Sequence, residues 1–201
     1  MNQEKTRYIL KVLNKVYKDG YRPSRFNEPY DVKLKNGLDA GCMINCLGHT
    51  FNLRNKQFDY YNIKPYKISN FLGETLSVPY FTEFLKYDNN QKNADIMIDF
   101  IKKTGLEVVK CAPNEIITDF KSWKIALYFS SNDFHYLLED FSGAWSGKDG
   151  NLNIIEHFDG QTPPKEYNNE HTKSTYKLFD TYKITNPNAN RHNKYVRDKD
   201  L

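Results

Sequence analysis

Cysteine is scarce in this chain: only Cys42, Cys46 and Cys111 occur among 201 residues. An odd number with no repeated spacing excludes a disulfide-built scaffold and suits a reducing compartment. Long apolar runs are lacking as well, and no stretch approaches the roughly 18 residues of a membrane-crossing helix. The opening residues Met1-Asn2-Gln3-Glu4-Lys5 lead straight into an amphipathic pattern, with no apolar signal core. The expectation is a cytoplasmic protein with no membrane partner. A strong excess of one charge is also missing, since 29 basic and 25 acidic side chains leave a net charge of +4. The basic runs, such as Lys102-Lys103 and Arg191-His192-Asn193-Lys194, are short. A dedicated nucleic-acid binder concentrates a larger basic excess on one face, so nucleic acid is not an expected partner. Glycines such as Gly105 and Gly143 stand alone, without a P-loop or dinucleotide fingerprint, and no cofactor is expected.

What the chain does have is aromatic side chains. An apolar fraction of 39% with 15% aromatics is too rich for a disordered protein and predicts a core built from tyrosine and phenylalanine rings. The length fits one domain with a real core. Residues 1–185 are expected to form that single domain, and the polar stretch 186–201 a loose tail.

Hydrophobic periodicity orders the elements. Gln3 to Lys18 reads as a helix, with Ile9, Val12, Leu13 and Val16 on one face and Gly20 as its stop. The Pro- and Gly-bearing stretch 21–41 reads as a loop, and a second helix is expected from about Cys42–Asn45 to Leu53. Segment 54–79 reads as irregular, with an extended piece near Tyr60 to Tyr66, and Pro79 to Tyr87 as a short helix. Asn93 to Thr104 is a stronger helix, with Ile96, Met97, Phe100 and Ile101 inward and Gly105 as its stop. The period then changes to that of strands at Leu106–Cys111, Trp123–Ser130, Phe134–Asp140, Asn153–Phe158 and Tyr176–Thr185. Trp123–Ser130 is nearly all apolar and reads as central, hairpinned to Phe134–Asp140 through Ser131-Asn132-Asp133. In the last strand Tyr176, Leu178, Tyr182 and Ile184 are expected on one face. Helices first and strands later predict an α+β fold, with N-terminal helices packed on a C-terminal antiparallel sheet.

Two segments carry possible chemistry. Gly41-Cys42-Met43-Ile44-Asn45-Cys46-Leu47-Gly48-His49 places cysteines near the start of a helix, where the dipole and unpaired N–H groups favour a thiolate and can hold an oxyanion. A free cysteine is equally a small core hydrophobe. The second segment, running from Asp133 to Gly150, puts His135 near the start of a strand, a rigid mount for a general base or simply a satisfied core histidine.

The second segment resembles bacterial proteins that read Asp-Tyr-His-Trp-Tyr-Arg and then, a few residues on, Asp-Gly-x-Trp-Ser-His-Lys-Pro-Gly. Asp133, His135, Asp140, Gly143, Trp145, Ser146, Lys148 and Gly150 fall in register with that motif. Asn45-Cys46-Leu47-Gly48-His49-Thr50 is more loosely similar to their upstream Asn-Cys-Tyr helix. A helical cysteine followed by a strand histidine is the order of papain-like and NlpC/P60-like cysteine hydrolases, so the resemblance implies that fold and a Cys46–His135 pair. The motif's second histidine is Gly147 here, and its proline is Asp149. A third polar group usually orients the imidazole, and Asp149, Asp140 and Asn151 are the candidates, with Asp149 taken for the role. Cys42 competes with Cys46, because Asn36 lies six positions before it, at the spacing of a papain-like oxyanion glutamine. Cys42, Cys46 and His49 also share a helix face, but paired zinc spacings are missing and no metal is expected.

Two functions follow as expectations. One is a thiol-dependent hydrolase or acyltransferase acting on the amide or isopeptide bond of a protein or peptide, with Cys46 as nucleophile, His135 as proton shuttle and Trp145 either walling the cleft or in the core. The other is a non-catalytic interaction or inhibitor protein on a degenerate hydrolase scaffold, for example an anti-defence factor of a mobile element.

Overall fold

The computed structural model describes Cys46, Thr50, residues 67–69, 75–77, 84–103, 105–118, 121–139, 143–148, 155–185 and 187. Helix α1 spans Asn90–Lys103. The strands are β1 (Lys67–Ser69), β2 (Thr75–Ser77), β3 (Glu107–Lys110), β4 (Ser122–Phe129), β5 (Phe134–Glu139), β6 (Trp145–Lys148), β7 (Ile155–Phe158), β8 (Glu166–Asn169) and β9 (Ser174–Thr185). The expected helix at Gln3–Lys18, the 21–41 loop and the piece at Tyr60–Tyr66 lie outside the described residues, as does the tail apart from Pro187. Cys46 and Thr50 are both helical, in keeping with the second expected helix.

α1 begins three residues before the expected Asn93. Asn89 is its cap: its carboxamide oxygen accepts the Lys92 N–H at 3.0 Å, satisfying one of the first-turn donors. The Asn93 side chain then clasps the incoming chain, accepting from Tyr87 N at 3.0 Å and donating to Tyr87 O at 2.7 Å. Met97, Phe100 and Ile101 are buried, as their spacing predicts. Gly105, with φ 91°, ends the helix in a left-handed conformation that suits glycine.

The large sheet is antiparallel, with the order β3-β9-β4-β5-β6-β7, and β8 pairs with the first part of β9. β1 and β2 form a separate hairpin inside the segment expected to be irregular. β4 is buried at all eight positions and lies in the middle of the sheet, as its apolar run predicts. Asp133 closes the β4–β5 turn, its carbonyl accepting from Ser130 N at 2.9 Å and its carboxylate from Phe134 N at 2.7 Å.

Each face of the sheet carries its own core. Trp123, Ile125, Leu127 and Phe129 of β4, with Phe134, Tyr136 and Leu138 of β5, meet α1 and Cys46 on the first face. Phe84 bridges the layers, with its ring edge-on to Phe100 and Phe134 at 5.7 Å each. Ala126, Tyr128, Leu137, Trp145, Tyr167 and Tyr176 form the second core, on the opposite face. That face is closed from the far side. Tyr167 of β8 meets Phe158 of β7 at 5.0 Å, and the Asn169 carboxamide donates to Glu156 Oε1 at 2.9 Å. β8, carried on the first part of β9, thus meets β7 over the second core, and this part of the sheet curls around it.

β9 corrects one expectation. Leu127 pairs with Asp180 but Tyr128 pairs with Leu178, so Phe179 is an extra residue. Such a bulge reverses the alternation. Tyr176 and Leu178 face the second core while Tyr182 and Ile184 face the first, so the four residues do not share a face.

Candidate functional site

Cys46 occupies a helical segment laid against the first face. Thr50, one turn on, accepts the Trp123 indole N–H on its carbonyl at 3.0 Å, which fixes this segment to β4. The thiol is 6% exposed and belongs to the cluster of Leu127, Tyr136, Met97 and Phe84. Burial pushes the Tyr136 phenol well up, and charge on Cys46 would push it further. Cys42, Asn36 and His49 lie outside the described residues.

His135 projects the other way. Tyr136 and Leu138 point into the first core, so alternation along β5 sends His135 and Leu137 to the second face. There the imidazole, 4% exposed, lies against the rings of Tyr176 at 5.5 Å and Tyr167 at 6.3 Å. Burial, helped by the charge of Lys148, drives its pKa from 6.5 down to about 3, so the ring is neutral at neutral pH. Its Nε2 is 3.6 Å from Glu156 Oε2, beyond hydrogen-bond reach, and has no hydrogen bond among the described residues.

Gly147 explains how the ring fits. A Cβ at this position would stand 2.7 Å from His135 Nε2 and 2.4 Å from Leu137 Cδ2. The position where the resembled proteins carry their second histidine is therefore filled by the side chains of β5. No family model, curated protein or solved structure matches the chain. The reading of the site accordingly rests on its geometry.

The structure thus seats Cys46 and His135 in cores on opposite faces of one sheet. Asp149, the expected orienting residue, and its substitutes Asp140 and Asn151 lie outside the described residues. Trp145 is wholly buried in the second core, the alternative to walling a cleft. Cys111, the third thiol, is buried after β3, and its burial pushes its pKa up to about 11. No group of three or more His, Cys, Asp and Glu side chains among the described residues could hold a metal ion.

Sequence reasoning missed the buried polar residues on both faces of the sheet. Lys148 and Ser146 are wholly buried on β6, and because Gly147 between them faces His135, they turn to the first face, with Ser146 opposite Leu138. Lys124, 1% exposed, holds Glu139 at 3.2 Å, donates to Pro113 O at 2.8 Å and lies over the Trp145 ring at 5.5 Å. Tyr176 donates its hydroxyl to Asp133 Oδ2 at 2.6 Å. The Trp145 indole N–H and the Tyr167 hydroxyl have no hydrogen bond among the described residues. One signal was available: Lys124 interrupts an otherwise apolar central strand, and a buried ammonium requires a carboxylate partner.

Proposed function

We propose that this chain acts by binding a partner protein, as a non-catalytic interaction or inhibitor protein, and not through a Cys–His pair. The observation carrying this reading is the placement of His135: neutral, enclosed by Tyr167 and Tyr176, and on the sheet face opposite the cluster that holds Cys46. A general base must come within hydrogen-bond reach of the thiol whose proton it takes, and the alternation of β5 turns this imidazole away. Gly147 supports the same reading, because the resembled proteins' second histidine would collide there with His135 and Leu137. On this view the papain-like or NlpC/P60-like resemblance reflects a shared scaffold, with a helical cysteine on the sheet and a histidine on a strand, whose catalytic geometry has been given over to core packing.

Thiol reactivity tests it. Iodoacetamide labelling of the folded protein at neutral pH, resolved by peptide mass spectrometry, is expected to modify Cys46 no faster than Cys111, and His135→Gln is expected to leave the Cys46 rate unchanged. Fast labelling of Cys46 that His135→Gln suppresses would restore the hydrolase reading.

A further inference from the structure

A groove of about 520 Å³ opens on the first face where β4 ends beside the N-terminus of α1. Its size falls in the range of ligand-binding clefts, about 300–1,000 Å³. The floor is apolar: Phe129 and Phe179 meet edge-on at 5.4 Å, and Phe179 is the bulged residue of β9. The rim is basic: Lys173 and Lys177 line it, together with Ser130, Ser131 and Asn90 of α1. Among the described residues no carboxylate lines the groove, and the first turn of α1 carries no acidic residue. Glu166 lies 3.8 Å from the Lys177 ammonium, and both are well exposed.

The groove also holds a strand edge. β4 pairs with β9 only as far as Phe129 opposite Lys177, and β9 runs on past it to Ser174. Leu178 N donates to Lys165 O, on the β8 side. Alternation therefore turns the N–H and C=O of Thr175 to the other side, into the groove, where no described strand lies opposite. A backbone edge, an apolar floor and a cationic rim are the parts of a strand-addition site.

Building on the binding reading above, we propose that this groove takes an extended acidic segment of a partner protein. The segment adds to β9 at Thr175, lays alternate apolar side chains on Phe129 and Phe179, and meets Lys173 and Lys177 with its carboxylates. The exposed main-chain edge favours a peptide over a free phosphate compound, and the modest net charge of the chain argues against a nucleic acid.

The test uses the full chain and a fluorescein-labelled peptide of alternating glutamate and valine, read by fluorescence anisotropy. A matched lysine–valine peptide is the control, and pyrophosphate and a short oligothymidylate are the competitors. Expected are binding of the acidic peptide alone, weakening by about tenfold in the Lys173→Glu/Lys177→Glu double variant as two exposed ion pairs are reversed, and slower Thr175 amide exchange on binding. Equal binding of the lysine peptide, an unchanged affinity in the double variant, displacement by either competitor at lower concentration than unlabelled peptide, or unaltered Thr175 exchange would overturn the proposal. Absence of acidic-peptide binding with Cys46 inert removes the groove assignment alone, whereas fast His135-dependent labelling of Cys46 removes the reading beneath it.

Discussion

Lowering the pH should destabilise this protein through His135 well before its carboxylates titrate. In the unfolded chain the imidazole has its ordinary pKa of about 6.5, and in the fold it falls to about 3. Between those values the unfolded state binds a proton that the folded state refuses, so stability rises with pH across the window and is lost as pH falls from about 6.5 towards 3. At about 1.4 kcal/mol per pH unit the full loss is about 5 kcal/mol, and roughly 2 kcal/mol of it falls between pH 6.5 and 5. That is a large part of the stability of an ordinary domain. Trp123 and Trp145 are buried in the first and second cores respectively, so tryptophan fluorescence reports the loss of both during urea unfolding. Unfolding free energies at pH 7, 6 and 5 should fall steeply in the native protein and much less in His135→Gln, which cannot titrate. Equal pH slopes in the two proteins, or a folded-state imidazole titrating near 6.5 by NMR, would refute the enclosure of His135 and with it the case against a working Cys–His pair.

Two further outcomes are expected. Gly147→Ala should lower stability by about 1–3 kcal/mol, because its methyl meets Leu137 and His135 inside contact distance; thermal melting measures it, and the same change should cost less in a Leu137→Ala background than in the native protein if this collision is the cause. Glu139→Leu should cost about 3–5 kcal/mol by leaving the buried Lys124 ammonium without its carboxylate, while Glu139→Leu with Lys124→Met should recover most of that in urea denaturation.

The parts of the fold legible in the sequence are those whose pattern is continuous. β4 reads as central because its run Ile125–Phe129 is apolar throughout, and α1 reads as a helix because Met97, Phe100 and Ile101 recur at its period. β6 and β8 were missed because Trp-Ser-Gly-Lys and Glu-Tyr-Asn-Asn are short and largely polar, and their place is set by neighbours distant in sequence. The start of α1 was misplaced although Asn89 offered a cap in the right position.

The site was harder to read for a physical reason. β5 is buried at every position, so its residues carry no alternation of apolar and polar side chains from which to tell the two faces apart. The sequence puts His135 on a strand but cannot say which face it takes. The bulge at Phe179 is equally silent, since nothing in Lys177-Leu178-Phe179-Asp180 marks an extra residue.

That bulge has a consequence for how the molecule comes apart. One strand roots Tyr182 and Ile184 on one side of the sheet and Tyr176 on the other, so neither half can melt while the other stays intact. Loosening at either end of β9 should spread along the whole ribbon, giving a single sharp transition in place of two.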